Sequence, residues 1–183
     1  MGQQNGLPKA HHNFTVKADG TMNAITTPLF VGVTPLTPDA QISLHQTTAL
    51  WDTGATNSCI TAEVAAAIGA IPTGRTITHG VHGANHTNTY LVDFVLPNNV
   101  RITDIKVTEV VGTVGGFGAI VGMDVINIGD FVISNSGGKT VMSFQVPSRI
   151  ELDFGNPKCP IHANFSSKPK GSNITPPKKK RRK

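Results

Sequence analysis

Cysteine is scarce in this chain. Cys59 and Cys159 are its two thiols among 183 residues, too few for a disulfide framework, and that economy fits a reducing compartment such as the cytoplasm. In that setting the Asn-x-Ser/Thr sequons at Asn13, Asn85, Asn164 and Asn173 carry no meaning. Long apolar runs are missing too. Nowhere do about eighteen apolar residues follow one another, and no early segment joins a basic start to an apolar run and a small-residue cleavage site. Neither a membrane-spanning helix nor a secretory leader is therefore expected. Met1-Gly2 opens like a myristoylation signal, but Gly6 stands where a Ser or Thr is needed.

Charge is sparse and uneven. Charged residues are 15% of the chain and apolar residues 38%, alongside 19 Gly and 12 Pro, a mixture that favours short strands and turns over long helices. The fold class expected is mainly β, in one domain. The formal charge of +5 conceals an asymmetry: residues 155–183 carry nine basic side chains and no acidic one, so the rest of the chain is net negative. The composition divides into a flexible N-terminal segment over 1–12, a folded domain over 13–154 and a disordered basic C-terminal tail over 155–183.

Within the body, alternating β-branched residues predict strands over 14–17, 29–33 and 41–50, punctuated by Pro28, Pro35 and Pro38. Thr61 can cap a short helix over 62–68, with Glu63 in its first turn, Val64 and Ile68 on one face, and Gly69 just past its end. Strands resume over 75–79, 87–96 and 100–111, with a Pro97-Asn98-Asn99 turn between the last two. The Gly-rich stretch 112–118 leads to an apolar run over 119–121 and a short helix near 123–126. A hairpin over 131–134 and 140–146 follows, turning through Gly137 and Gly138, and the pattern of 148–154 predicts one more strand.

The chemistry gathers at Ala49-Leu50-Trp51-Asp52-Thr53-Gly54-Ala55-Thr56, an apolar strand that ends on Asp-Thr-Gly. Downstream, His79-Gly80-Val81-His82-Gly83-Ala84-Asn85 makes a Gly-containing hairpin tip, and Ile120-Val121-Gly122 opens the second short helix. Taken in order, these three segments resemble retropepsin-like (retroviral-type) aspartic proteases, including their bacterial relatives, over about residues 25–147 on the single-domain scale. The resemblance implies a closed, mainly antiparallel acid-protease barrel with one or two short helices. It makes Asp52 the catalytic residue, with Thr53, Gly54 and Ala55 supporting it. Gly80, Val81, His82 and Gly83 become a flap over substrate, and Ile120, Val121 and Gly122 the apolar-apolar-Gly motif. No cofactor and no metal are implied.

The chemistry accounts for these residue types. Water attacks a peptide carbonyl when one carboxylate takes a proton and a neighbouring carboxylic acid donates one, and two carboxyls sharing a proton do both. This chain holds a single Asp-Thr-Gly. Asp19-Gly20-Thr21 scrambles the order, and neither Asp124 nor Asp130 is followed by Thr-Gly. The chain is thus expected to be half of a site, completed as a C2 homodimer with Asp52 from each copy. The expected partners are a second copy and a peptide or protein substrate lying extended under the flaps.

Several plainer readings stand beside these. Asp-Thr-Gly is also ordinary turn chemistry. Trp51 points away from Asp52 along the strand and is expected to pack rather than touch substrate, and Cys59 is expected to be a small buried apolar residue. His79, His82 and His86 have no acidic or Cys neighbour to make a zinc site, and Cys159 with His162 is half of a zinc-knuckle spacing without its second half. Lys178 to Lys183 would attract nucleic acid or an acidic protein and, in a eukaryotic host, would resemble a nuclear-localisation signal, yet no aromatics interleave with them for base stacking. A silent dimerisation or peptide-binding module on the same fold is the alternative to an enzyme.

Overall fold

The computed structural model describes residues 12–37, 43–80, 83–110 and 115–156. Strands β1 (His12–Lys17), β2 (Thr26–Val33), β3 (His45–Trp51) and β4 (Cys59–Thr61) precede helix α1 (Ala62–Ala67). Then come β5 (Gly74–Gly80), β6 (Gly83–Val95), β7 (Arg101–Val110), β8 (Ala119–Val121), helix α2 (Met123–Ile126), β9 (Asp130–Ser134) and β10 (Val141–Val146). Met1–Arg149 forms one compact unit and Ile150–Lys183 a second. Of the second unit, residues 150–156 are described, and they include a turn in which the Gly155 N–H donates to Asp153 Oδ1 at 2.8 Å.

The order β2-β3-β8-β4-β7-β6-β5 builds the main sheet, and a further pairing of β2 with β6, from Phe30↔Val95 to Val33↔Val92, closes six of its strands on themselves. The result is the mainly antiparallel barrel expected, but it also holds two parallel pairs, β3 with β8 and β4 with β7. Strand alternation fills the barrel: Leu29, Val31, Ile60, Val92, Phe94, Val107 and Val121 are fully buried, the fate of every second residue on a half-covered strand. Pro28 does not break β2. It lies where β2 is flanked by β3 alone, an edge position that tolerates a missing N–H.

β6 changes partners along its length. Its first half, Gly83 to Thr89, pairs with β5, while its second half pairs with β7 and β2. The β5–β6 ribbon therefore runs out beyond the closed barrel. One charge pair lies inside the barrel wall: Asp93 is fully buried on β6, bound by the Arg101 guanidinium, by Thr34 Oγ1 at 2.5 Å and by the Asp104 N–H at 3.1 Å. Such saturation is what keeps a buried carboxylate tolerable.

A second sheet, β1-β10-β9, shares the barrel's core through Met142 and Phe144, with Trp51 at the contact. The Trp51 indole, at the end of β3, stacks on Phe131 of β9 at 5.5 Å, sits 4.9 Å from Phe144 of β10 and 5.9 Å from Phe14 of β1, and donates Nε1–H to Thr27 Oγ1 at 3.0 Å. Trp51 is thus the packing residue expected. Helix α1 is capped as its sequence predicts, with the Val64 N–H donating to Thr61 Oγ1 at 3.3 Å and Gly69 at φ +66° just beyond. The strand expected over 148–154 does not form. Pro147 ends β10 without an N–H to offer, and the next residues turn to a side chain instead, Ser148 Oγ and the Arg149 N–H both donating to the Asp130 carboxylate. The expected 41–50 strand begins at His45: Ser43 and Leu44 are not part of it, and 41 and 42 fall outside the described residues.

Candidate active site

β3 delivers Asp52 to its position. The strand's last ladder bonds are Trp51 N–H to Ile25 O at 2.9 Å and Asp52 N–H to Val121 O at 3.0 Å, after which the chain turns. The turn is fixed by Asp52 itself: Gly54 N–H donates to its Oδ1 at 2.8 Å, and Ala55 N–H to its backbone carbonyl at 3.2 Å. A Cβ on Gly54 would stand 3.1 Å from that same Oδ1, so glycine lets the backbone pass close under the carboxylate. Asp52 is partly buried and Thr53 exposed. No hydrogen bond reaches Asp52 Oδ2 among the described residues.

The later motif lies against this loop. β8 runs between the two limbs that flank the loop, parallel to β3 on one side and antiparallel to β4 on the other, with Trp51↔Val121 and Cys59↔Ile120 as partners. Gly122 then passes so close that a Cβ there would meet the Asn57 carbonyl carbon at 2.7 Å and Ala55 O at 2.9 Å. The Met123 N–H donates to Ala55 O at 2.8 Å and the Asp124 N–H to Thr56 O at 3.2 Å. Of the residues singled out from sequence, Asp52, Thr53, Gly54, Ala55, Ile120, Val121 and Gly122 are brought together.

Two residues of this assembly were not foreseen. Ser58, fully buried, donates Oγ–H to Asp124 Oδ1 at 2.7 Å and accepts the Gly122 N–H at 3.0 Å. Asp124 also takes the Ser58 N–H at 2.9 Å and the Val125 N–H at 2.9 Å. Weighed in the sequence only as a second catalytic acid, Asp124 is instead an anchor for the loop, and its place in the first turn of α2 was the available signal. Asp124→Ala should cost about 2 kcal/mol, because it strips a charged acceptor from a buried serine. A thermal melt should fall by about 4–8 °C, whereas Asp124→Asn, keeping one acceptor oxygen, should recover part of that loss.

The ribbon faces the loop across a cleft of about 630 Å³. The loop from Gly54 to Asn57 and Cys59 form one wall, Thr76 to Thr78 of β5 another, and Thr89, Lys106 and Thr108 complete it. At the far end of the ribbon Gly80 pairs with Gly83, which has φ +102°. Val81 and His82 lie outside the described residues, as do Lys178 to Lys183, Cys159 and His162. Cys59 corrects its expectation. It is only partly buried, lines the cleft and lies 3.1 Å from Thr108 Oγ1. Burial pushes its thiol pKa up, and the charges of Asp124 and Asp52 push the same way against the lowering contact with Thr108. Among the described residues no three His, Cys, Asp or Glu side chains stand close enough to hold a metal, and no helix is long and apolar enough to cross a membrane.

Residues 39–128 match the family model described as "gag-polyprotein putative aspartyl protease". No curated protein matches the sequence. Among solved structures, the chain is similar to a retropepsin-like aspartic protease from Rickettsia conorii, at 14% identity and a TM-score of 0.46, over 75% of this chain and 96% of that one. The matched span contains the Asp-Thr-Gly turn, the ribbon and the Gly122 approach, and over this span the chain is similar to aspartyl proteases of the gag-polyprotein, retropepsin-like type.

Proposed function

We propose that the chain is an aspartic endopeptidase whose site is completed by a second copy, with the domain over 13–154 as the catalytic half. The observation that carries this reading is the lone Asp52 carboxylate, held by one oxygen on Gly54 at the mouth of a turn while no bond from the described residues engages its Oδ2. One carboxyl can accept a proton or donate one, but peptide hydrolysis asks for both at once. Two Asp52 side chains across a twofold axis would share a proton. The ionised member takes a proton from water as that water attacks the carbonyl carbon, and the protonated member gives its own to the carbonyl oxygen. Thr53, exposed in the single chain, is positioned next to Asp52 to bond across to its counterpart. The β5–β6 ribbon with Gly80, Val81, His82 and Gly83 would close over an extended peptide.

Mixing tests the two-copy site. Wild-type protein is exchanged with rising amounts of Asp52→Asn chain at constant total concentration, and cleavage of a fluorogenic peptide library is followed. Activity should fall with the square of the wild-type fraction. A linear fall would mean that each chain works alone and would overturn the shared dyad. Pure dimer without fragments from any peptide at any pH would favour the silent binding module.

A further inference from the structure

We propose that the cleft beside the Asp-Thr-Gly loop is a subsite for an acidic side chain, Asp or Glu, of the bound peptide, and that Lys106 selects it. The inference rests on the endopeptidase reading and adds a substrate class to it. β7 alternates: Ile105 and Val107 are buried in the barrel, which turns Lys106 and Thr108 to the cleft side. Lys106 is exposed there and makes no ion pair among the described residues. Around it the cleft offers the Thr76 hydroxyl and the Asn57 amide, beside Thr78 Oγ1, which donates to Asn85 O at 3.4 Å, and Thr108 Oγ1, 3.1 Å from Cys59 Sγ; among the described residues no carboxylate lines it.

That lining suits a carboxylate better than a hydrocarbon. An apolar side chain filling the cleft would strip water from hydroxyls and an ammonium group without replacing their hydrogen bonds, a cost that its burial must first offset. A carboxylate keeps those donors satisfied and meets a free cation. Asp52 and Asp124 act on Cys59 in the loop wall. They repel an anion from the loop wall and so favour the β7 wall, where Lys106 stands.

An exposed ion pair is modest and screened by salt, so the expected preference is a few-fold rather than absolute. Peptides differing only by Glu or Gln at each position around the cleaved bond are compared by kcat/KM on the full chain. At one position Glu should be favoured about threefold to tenfold at low ionic strength, with the advantage shrinking as NaCl is added. Lys106→Met should abolish that advantage, so that the Glu and Gln peptides are cleaved with equal kcat/KM, and Lys106→Glu should favour Lys at the same position. The subsite is overturned if wild type cleaves but favours Glu nowhere, or if Lys106→Met keeps the full Glu preference. If wild type cleaves no peptide the endopeptidase reading fails separately. The same peptides are then compared by fluorescence anisotropy, where equal affinity of Glu and Gln forms for wild type overturns the subsite as well.

Discussion

Asp52→Asn should leave a folded chain, unchanged in mass in solution and in circular dichroism, that has lost peptidase activity by about 10⁴-fold or more at every pH. The argument lies in what the substitution spares. The side chain keeps its volume, and its amide oxygen can still accept the Gly54 N–H that shapes the turn. What disappears is the ability to gain and lose a proton, and in a twofold assembly it disappears from both sides at once, so neither base nor acid remains. Steady-state cleavage of a peptide library between acid and neutral pH is the measurement. Activity surviving at wild-type level would falsify the assignment of Asp52, however well the fold matched.

The largest structural loss is expected from Trp51→Ala, at about 3–5 kcal/mol. The indole is 5% exposed and touches all three strands of the second sheet through Phe14, Phe131 and Phe144. Its removal opens a cavity between sheet and barrel and leaves the buried Thr27 hydroxyl without its donor. Urea unfolding followed by circular dichroism reads the loss, since the variant has no tryptophan left to fluoresce. Trp51→Phe, which refills most of the space and forgoes the hydrogen bond, should fall between the two. Because Trp51 directly precedes Asp52, the alanine variant should also cleave more slowly. A midpoint within error of wild type would mean that the second sheet is held to the barrel by something other than this cluster.

Local chemistry made much of this fold legible. Thr61 and Gly69 bracket α1 because a hydroxyl cap and a left-handed glycine act within a turn of the helix they end. Gly137 and Gly138, at φ +66° and +74°, bend the closing hairpin where their sequence places the turn. Asp52-Thr53-Gly54 and Ile120-Val121-Gly122 were recognisable as segments, but their contact was not, since it depends on β8 entering between β3 and β4. Pairings between strands so far apart in sequence leave no periodic trace in either. The Ser58–Asp124 anchor was hidden for the same reason. Residues 148–154 erred the other way: Ile150 and Phe154 alternate as a strand would, but they are 50% and 74% exposed, because alternation licenses a strand only where an edge receives it. Lys106 was readable in principle, as a polar residue between buried Ile105 and Val107, though what its face looks onto is set by β5 and the Gly54–Asn57 loop, which are distant in sequence.

The partner change along β6 has an energetic corollary. Past Thr89 each amide of that strand is tied into a ring that cannot open at one place without disturbing the whole. Before it, the backbone of Gly83 to Asn88 is paired with β5, and β7 is reached only at its inner end, where the Thr87 and Asn88 side chains donate to Glu109; a two-stranded hairpin has little stability of its own in water. Lifting the arm and unfolding the body are therefore separate transitions with separate costs. A molecule built this way can move its arm many times over while its core never loosens.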